Sequence, residues 1–476
     1  MIDDATLPLA VDVGDTSIDA GTLIPDMPTT DADRRPFDAA LRADFAVADA
    51  GPPPLYFNPA DIVSPCDPVD PPDVIAPEKA AEFELVAVSR GITEFPPTDM
   101  NGDGVFDVFA SVDWIPNGYA PIVGLSFVGG VSDQVWSPTQ FLPQSVGDMD
   151  GDGVPEVVGT LWVPVGLQPD GSFDTALQQA FQVRRLDAGN DLEAATVVAT
   201  VSMWGGSVPP YNWFFPSQAW LRDADGDGRD ELFTALPAEV WRLVDGGLVR
   251  TAVDFDPAEA DFLLDALLGT QIVDDFDGDG RVDAVSAELL PPPYFFPIGG
   301  SPVATRVVEL GDDGQYHLRF HEVIPSLNLN YVAAGDFQGH GRRDFVRGGD
   351  TNGSCHFFAA YRATADDTYE RYWQRALFAP GDIFGGNADS GDTDGDGRDE
   401  LLINDGRMLW LYEGDGEEGF QLVYTLVYED CGAGCMAYTA LKDVTGDGRA
   451  DIVVSRNPNR PGIADDGIQV YSRVAP

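Results

Sequence analysis

Apolar residues in this chain come in short runs that end in loops rich in glycine and aspartate, and the pattern recurs. The clearest unit lies near the C-terminus. Leu401-Leu402-Ile403 is followed by Met408-Leu409-Trp410-Leu411-Tyr412, a turn at Gly414-Asp415-Gly416, and the run from Phe420 to Tyr428. Short runs rich in aromatic and apolar residues and bounded by turn residues predict strands rather than helices. With the segment before the next acidic loop, the unit predicts four strands. Similar runs follow other acidic loops, at Val157-Val158, Glu231-Leu232-Phe233 and Ile452-Val453-Val454. Second turns are predicted at Asp187-Ala188-Gly189-Asn190, Asp245-Gly246-Gly247 and Asp312-Asp313-Gly314. No run of about 18 apolar residues occurs, so no spanning helix is predicted.

Each unit is led by an acidic loop of one pattern, D-x-[D/N/T]-x-D-G-x-x-[D/E]. Side-chain oxygens stand at positions 1, 3, 5 and 9, and position 7 can add its backbone carbonyl. In the first loop these positions are Asp99, Asn101, Asp103, Val105 and Asp107. In the second they are Asp148, Asp150, Asp152, Val154 and Glu156; in the third, Asp223, Asp225, Asp227, Arg229 and Glu231. The fourth has Asp275, Asp277, Asp279, Arg281 and Asp283. The sixth has Asp392, Asp394, Asp396, Arg398 and Glu400, and the seventh Asp443, Thr445, Asp447, Arg449 and Asp451. A hard cation such as calcium takes six to eight oxygens at about 2.3–2.6 Å, which this spacing can supply. Glycines at positions 4 and 6 let the chain curl round the ion. Without a cation the clustered carboxylates repel one another. A helical calcium hand needs Glu at position 12; here that position is Ala110, Gly159, Thr234, Ser286, Ile403 or Val454. An Asp-Gly hairpin needs the pair once, not four spaced acids in every unit. Calcium is therefore expected in six loops. The fifth, Asp336, Gln338, His340 and Asp344, puts a nitrogen ligand where a carboxylate belongs, and is expected to keep its shape without a tightly bound ion. Thr445 predicts weaker binding in the seventh.

Loops start at 99, 148, 223, 275, 336, 392 and 443, about 57 residues apart, somewhat longer than small propeller repeats. Four antiparallel strands taken seven times predict an all-β, seven-bladed β-propeller over residues 79–476. The last unit is one strand short, and Phe83-Glu84-Leu85-Val86-Ala87-Val88-Ser89 precedes the first loop without an assignment. Residues 82–89 are thus expected to close the last blade and remove the exposed ends of the ring. Residues 1–78, rich in Asp and Pro with little alternation, predict a disordered acidic tail or tether.

The Asp-x-Asp-x-Asp-Gly-x-x-Asp loop before a short apolar strand resembles the FG-GAP/VCBS repeat family. It is similar to the calcium-binding blades of the integrin α-subunit propeller. The resemblance spans about residues 80–476 and implies calcium loops on the first hairpin of each blade, on the lower face. The Phe-Gly and Gly-Ala-Pro sequences that name the family are not evident. It fixes no partner, since propellers host many functions.

Charge narrows the partners. The chain has 476 residues, with 80 acidic against 27 basic and a net charge of -53, which argues against nucleic acid and anionic membranes. Met1-Ile2-Asp3-Asp4 shows no basic or apolar targeting region. Extracellular or surface-attached placement is expected because weak calcium sites suit millimolar calcium. Cys431 and Cys435 predict a small disulfide loop, and Cys66 with Cys355 a second bridge.

A ligand is expected on the face opposite the calcium loops, where aromatic residues collect: Trp114 and Tyr119, Trp136 and Phe141, Trp204, Tyr211, Trp213, Phe214 and Phe215, and Tyr294, Phe295 and Phe296. Aromatics in loops suit sugar rings or protein partners; the competing reading is that they fold back to cap the ring. A monomeric binding or adhesion module for protein or glycan is expected. The alternative is a carbohydrate-active enzyme, a polysaccharide lyase or hydrolase, on the same scaffold. The four histidines, His317, His321, His340 and His356, form no zinc-protease pattern, and no nucleophile elbow or phosphate loop is present.

Overall fold

Strand formation follows the apolar runs. A computed structural model of the chain describes residues 75, 80–89, 96–111, 122–130, 132–139, 141–163, 178–186, 191–202, 219–235, 238–251, 270–289, 303–311, 316–324, 331–350, 355–365, 368–378, 387–416, 419–428, 436–456 and 467–474. The strands make seven antiparallel sheets, six of four strands and one of three. They are the blades of a seven-bladed β-propeller. In blade two the strands are Phe141–Gly147, Glu156–Val163, Gln178–Arg185 and Thr196–Ser202, in that order across the sheet. In blade six they are Asn387–Gly391, Glu400–Asn404, Met408–Gly414 and Phe420–Val427. The second strand of blade six runs past its apolar core because Glu400 and Asn404 are themselves buried and continue the ladder.

Blade one departs from the four-strand pattern. Its named strands are Val108–Ser111, Ile122–Ser126 and Asp133–Thr139, and an isolated bridge, Thr98 to Asp107, stands in the innermost position. Pro96 and Pro97 precede that bridge. Neither has an N–H to give a ladder, which stops a longer strand there.

Blade seven is completed from the other end of the sequence. Phe83–Ser89 pairs antiparallel with Ile468–Arg473, which pairs with Asp451–Arg456 and then Met436–Lys442. Ala87 of this outer strand is buried, whereas Leu85 and Val88 are exposed at 49% and 40%.

The core is a ring of inter-blade contacts. Seven buried clusters occur among the described residues, and each joins one blade to the next. Met100, Phe109 and Trp136 of blade one meet Phe141, Leu142 and Val157 of blade two. The series continues through blades two and three, three and four, four and five, five and six, and six and seven. It closes where Val108, Ala110 and Leu125 of blade one pack on Ala440, Val444 and Val453 of blade seven. Flat blades alone bury little, so stability resides in these faces.

The joint between blades four and five is rich in aromatic residues. Phe345 is fully buried, stacked on Tyr361 at 5.0 Å and edge-on to Phe276 at 5.3 Å. Truncation there leaves a cavity between two blades. Phe345→Ala is expected to destabilise the fold by about 3–5 kcal/mol, read by denaturant unfolding; a loss under about 1 kcal/mol would mean that this joint is not a stability element.

Several sequence expectations fall elsewhere. Trp136 and Phe141 do not lie on an exposed face: both are buried in the joint between blades one and two, because their strands place them inward. Ile75, in the stretch read as tail, packs partly buried against the joint of blades five and six. Residues 1–74 and the turns at 187–190 and 312–315 lie outside the described residues, as do Cys66, Cys431 and Cys435 and the side chain of Cys355.

Candidate metal centres

Each acidic loop joins the first strand of its blade to the second, so all seven emerge from one face. Their conformation follows from local hydrogen bonding. The position-1 aspartate accepts two backbone N–H groups from the same loop. Asp148 takes Gly151 at 2.8 Å and Gly153 at 2.8 Å; Asp392 takes Gly395 at 2.7 Å and Gly397 at 2.8 Å; Asp443 takes Gly446 and Gly448, both at 2.7 Å. Both glycines of each loop have positive φ, +74° at Gly151 and +80° at Gly153, which other residues adopt only with strain. The N–H of position 7 donates to the position-5 carboxylate, as at Val154 to Asp152 (2.8 Å) and Arg398 to Asp396 (2.8 Å).

The position-9 acid begins the second strand and is drawn inward. One oxygen accepts the N–H of position 2: Met149 to Glu156 at 2.9 Å, Ala224 to Glu231 at 2.8 Å, Phe276 to Asp283 at 3.0 Å, Thr393 to Glu400 at 2.6 Å, Val444 to Asp451 at 3.0 Å. Burial drives these carboxyls above their ordinary range. Asp107 is pushed up to about 6, Glu231 to about 7, Asp283 and Glu400 to about 8, in each case chiefly by desolvation.

The carboxylates converge. Ligand oxygens of Asp148, Asp150 and Glu156 all lie within 4.8 Å of one another, as do those of Asp223, Asp225 and Glu231; of Asp275, Asp277 and Asp279; and of Asp392, Asp394 and Asp396. The donor set is all oxygen, as a hard cation requires. In blade four Asp283 Oδ1 is buried with no hydrogen-bond partner. A buried carboxylate oxygen left so carries a desolvation cost that a cation would offset. The residues therefore fit calcium, which would be held by positions 1, 3, 5, 7 and 9.

Loop five is built differently. Gln338 turns away from its own loop: its Oε1 accepts Gly416 N–H at 2.9 Å and its amide donates to the Gly419 carbonyl at 3.0 Å, both in blade six. The position-9 acid, Asp344, accepts the Tyr372 hydroxyl at 3.0 Å. The oxygen that the sequence offered at position 3 is thus spent on an inter-blade contact.

The loops are also chained to one another, which the repeat pattern did not reveal. The N–H of position 8 donates to the position-1 carbonyl of the preceding loop: Asp230 to Asp148 (3.0 Å), Asp399 to Asp336 (3.2 Å), Ala450 to Asp392 (2.7 Å), and, across the closure, Phe106 to Asp443 (2.8 Å). Asp230 and Asp399 return a second bond, accepting the backbone N–H of Asp148 and Asp336 at 2.7 and 2.9 Å. Pro155 holds the same place in loop two and has no N–H to give. An Asp at position 8 was the available signal, but it gains meaning only once blades are adjacent.

The aromatic candidates lie in other segments. Trp114, Tyr119, Trp204, Tyr211, Trp213, Phe214, Phe215, Tyr294, Phe295 and Phe296 are outside the described residues. The flanking strands end on the face opposite the acidic loops. His321 and His356 sit in strands, and burial pushes both down to about 4.

Residues 392–454, spanning loop six to blade seven, match the FG-GAP-like repeat family. No curated protein matches the chain. Among solved structures, the V. cholerae biofilm matrix protein Bap1 is 13% identical with a TM-score of 0.40, covering 83% of this chain and 92% of that one. A lectin of Agrocybe aegerita that recognises non-reducing terminal N-acetylglucosamine is 13% identical with a TM-score of 0.40, covering 84% and 91%. A protein from Lactobacillus plantarum is 12% identical with a TM-score of 0.40, covering 80% and 96%. No helix among the described residues is long and apolar enough to cross a membrane.

Proposed function

From the premise that the chain is an FG-GAP-repeat propeller, we propose that it is a calcium-stiffened binding module that works outside the cell and holds a protein or a glycan. The observation that carries the calcium part is the convergence of oxygen ligands in the loops, with a buried, partnerless Asp283 Oδ1 at one of them. Calcium neutralises the clustered carboxylates and ties each loop to the second strand of its blade. Because neighbouring loops are hydrogen-bonded, stiffening one loop steadies the next. Extracellular modules bind calcium at about 10⁻⁴–10⁻³ M, and a site of that strength suits a compartment outside the cytosol.

The ligand face is then the opposite one, where the aromatic-rich connections depart. A glycan and surface-protein binding screen tests this, with Trp213→Ala and Tyr294→Ala as the discriminating variants. Loss of binding in either locates the site on that face; unchanged binding in both removes it.

The raised carboxyls set a pH dependence. Four of the position-9 acids, Asp107, Glu231, Asp283 and Glu400, are pushed by burial to about 6 to 8, above the ordinary range. In the metal-free protein their protonated form favours folding, fully below about pH 4, and this contribution is lost as pH rises through 6 to 8. Calcium competes with those same protons. Its apparent affinity is therefore expected to strengthen between pH 5.5 and 8, while the metal-free melting temperature falls over that interval. Calorimetric titration and melting at the two pH values check this; a pH-independent calcium affinity would remove the position-9 acids from the ligand set.

A further inference from the structure

The third strand of each blade places one residue across the sheet from the position-9 acid, and the antiparallel register fixes which. Glu156 lies opposite Arg185 and Asp283 opposite Glu309. One step beyond the neighbouring pairs, Ser126 falls beside Asp107, Arg242 beside Glu231, Arg362 beside Asp344, Glu413 beside Glu400, and Ser472 beside Asp451. Loops that are equivalent in their own sequence are therefore not equivalent in what faces them.

In blades two and three the facing residue puts a guanidinium among the loop's own acids. Arg185 bonds Asp150, stands 3.3 Å from Asp152 and is 2.9 Å from Glu156 Oε1, so it bridges positions 3, 5 and 9. Arg242 bonds Asp225 and is 3.0 Å from Glu231 Oε1, bridging positions 3 and 9. In both loops the guanidinium takes the Oε1 that the position-2 N–H leaves open. Blade four is the contrast: Glu309 faces its Asp283 and is held by Arg281 at 3.0 Å and Arg319 at 3.3 Å, and Asp283 Oδ1 has no hydrogen-bond partner. In blade five Arg362 is turned to Glu370 at 2.9 and 2.7 Å. In blade six the facing residue is an acid, Glu413, but two other arginines reach the loop: Arg473 from blade seven, 3.3 Å from Asp394 and 3.4 Å from Glu400, and Arg398 of the loop itself, which donates to Asp396 at 2.9 Å and stands 3.4 Å from Glu413.

We propose that Arg185 and Arg242 are built-in competitors for calcium, dividing the loops into two affinity classes. The inference rests on the reading that the loops hold calcium. At low calcium the guanidinium fork, planar and always charged, satisfies the acids of loops two and three. An incoming cation must expel it and then tolerate a positive charge nearby. Loops one and four load before loops two and three; loop six has arginines of its own on its acids, and loop seven has Thr445 in place of an acid. Loops two and three load only at higher calcium, each passing from an arginine clip within its own blade to a calcium clip as the ion rises.

The test is a calcium titration by calorimetry on the full chain and on Arg185→Met/Arg242→Met. The wild type is expected to show a tighter class and a weaker class that includes loops two and three. In the double variant the weaker class is expected to tighten by about tenfold or more, a change of about 1.4 kcal/mol per decade. Melting under chelation supplies a readout that a merely structural role would not give. The variant is expected to lose stability without calcium and to regain the wild-type melting temperature with it. Arg242→Met alone, at the more exposed of the two arginines, keeps the test open if the double variant does not fold. An unchanged isotherm in a variant whose wild type binds calcium overturns the competition, as does an equal fall in melting temperature with and without the ion. Absence of calcium binding in both proteins overturns the calcium reading itself.

Discussion

Chelating calcium is expected to lower the melting temperature of the propeller by about 10 °C or more. A ligand present at 100 times its dissociation constant stabilises the folded state by about 2.7 kcal/mol for each independent site. For large domains each kcal/mol moves the midpoint by about 2–4 °C, so two or three occupied loops suffice. The physical cause is the charge left behind. In loops two, three, four and six, three carboxylates stand within 4.8 Å of one another, and the chain carries a net charge of -53. Without the ion, repulsion acts at these loops of one face, and where position 8 bonds to the preceding loop the distortion passes from blade to blade. The measurement is a calorimetric melt with excess calcium and with excess chelator. Identical melts would show that the loops are held by protons and arginines alone.

Removing the closing strand is expected to have an effect of similar size but a different character. Phe83–Ser89 makes six residue pairings with Ile468–Arg473, and its flanks tie in as well. Val474 N–H donates to the Glu82 carbonyl at 2.8 Å, Ala81 N–H to the Val423 carbonyl at 2.9 Å, and Phe83 packs on Tyr424 at 4.6 Å. The strand thus holds blade seven and reaches blade six. A chain starting at residue 90 exposes the edge of Ile468–Arg473, whose free N–H and C=O groups invite pairing with other chains. At about 0.5–1.5 kcal/mol for each net hydrogen bond, the loss is on the order of 5 kcal/mol. The truncated protein is expected to aggregate in size-exclusion chromatography. A peptide covering residues 80–90 added in trans is expected to restore monomer. A truncated chain that stays monomeric with an unchanged melting temperature would show that the clasp is dispensable.

The loop pattern was legible because its residues are close together in the chain. Asp148, Asp150, Asp152 and Glu156 sit within nine residues, and no distant partner is needed to recognise them. Strand runs such as Leu401-Leu402-Ile403 were legible because a strand buried on both faces is continuously apolar. Trp136 and Phe141 were misplaced because sequence position near a loop does not say which way a strand turns its side chains. The role of Gln338 was not legible because its partners, Gly416 and Gly419, belong to the next blade.

By itself, then, the sequence determined the repeat, its count, the ligand spacing and the all-β class, since each depends on residues close together in the chain. The tertiary structure decided what separates one loop from another. Arg185, Glu309 and Ser472 stand 29, 26 and 21 residues after the acids they face, in third strands whose register only the folded sheet establishes. Whether an acid meets a guanidinium, a carboxylate or a hydroxyl is set by antiparallel pairing across the blade, and no local pattern encodes that pairing.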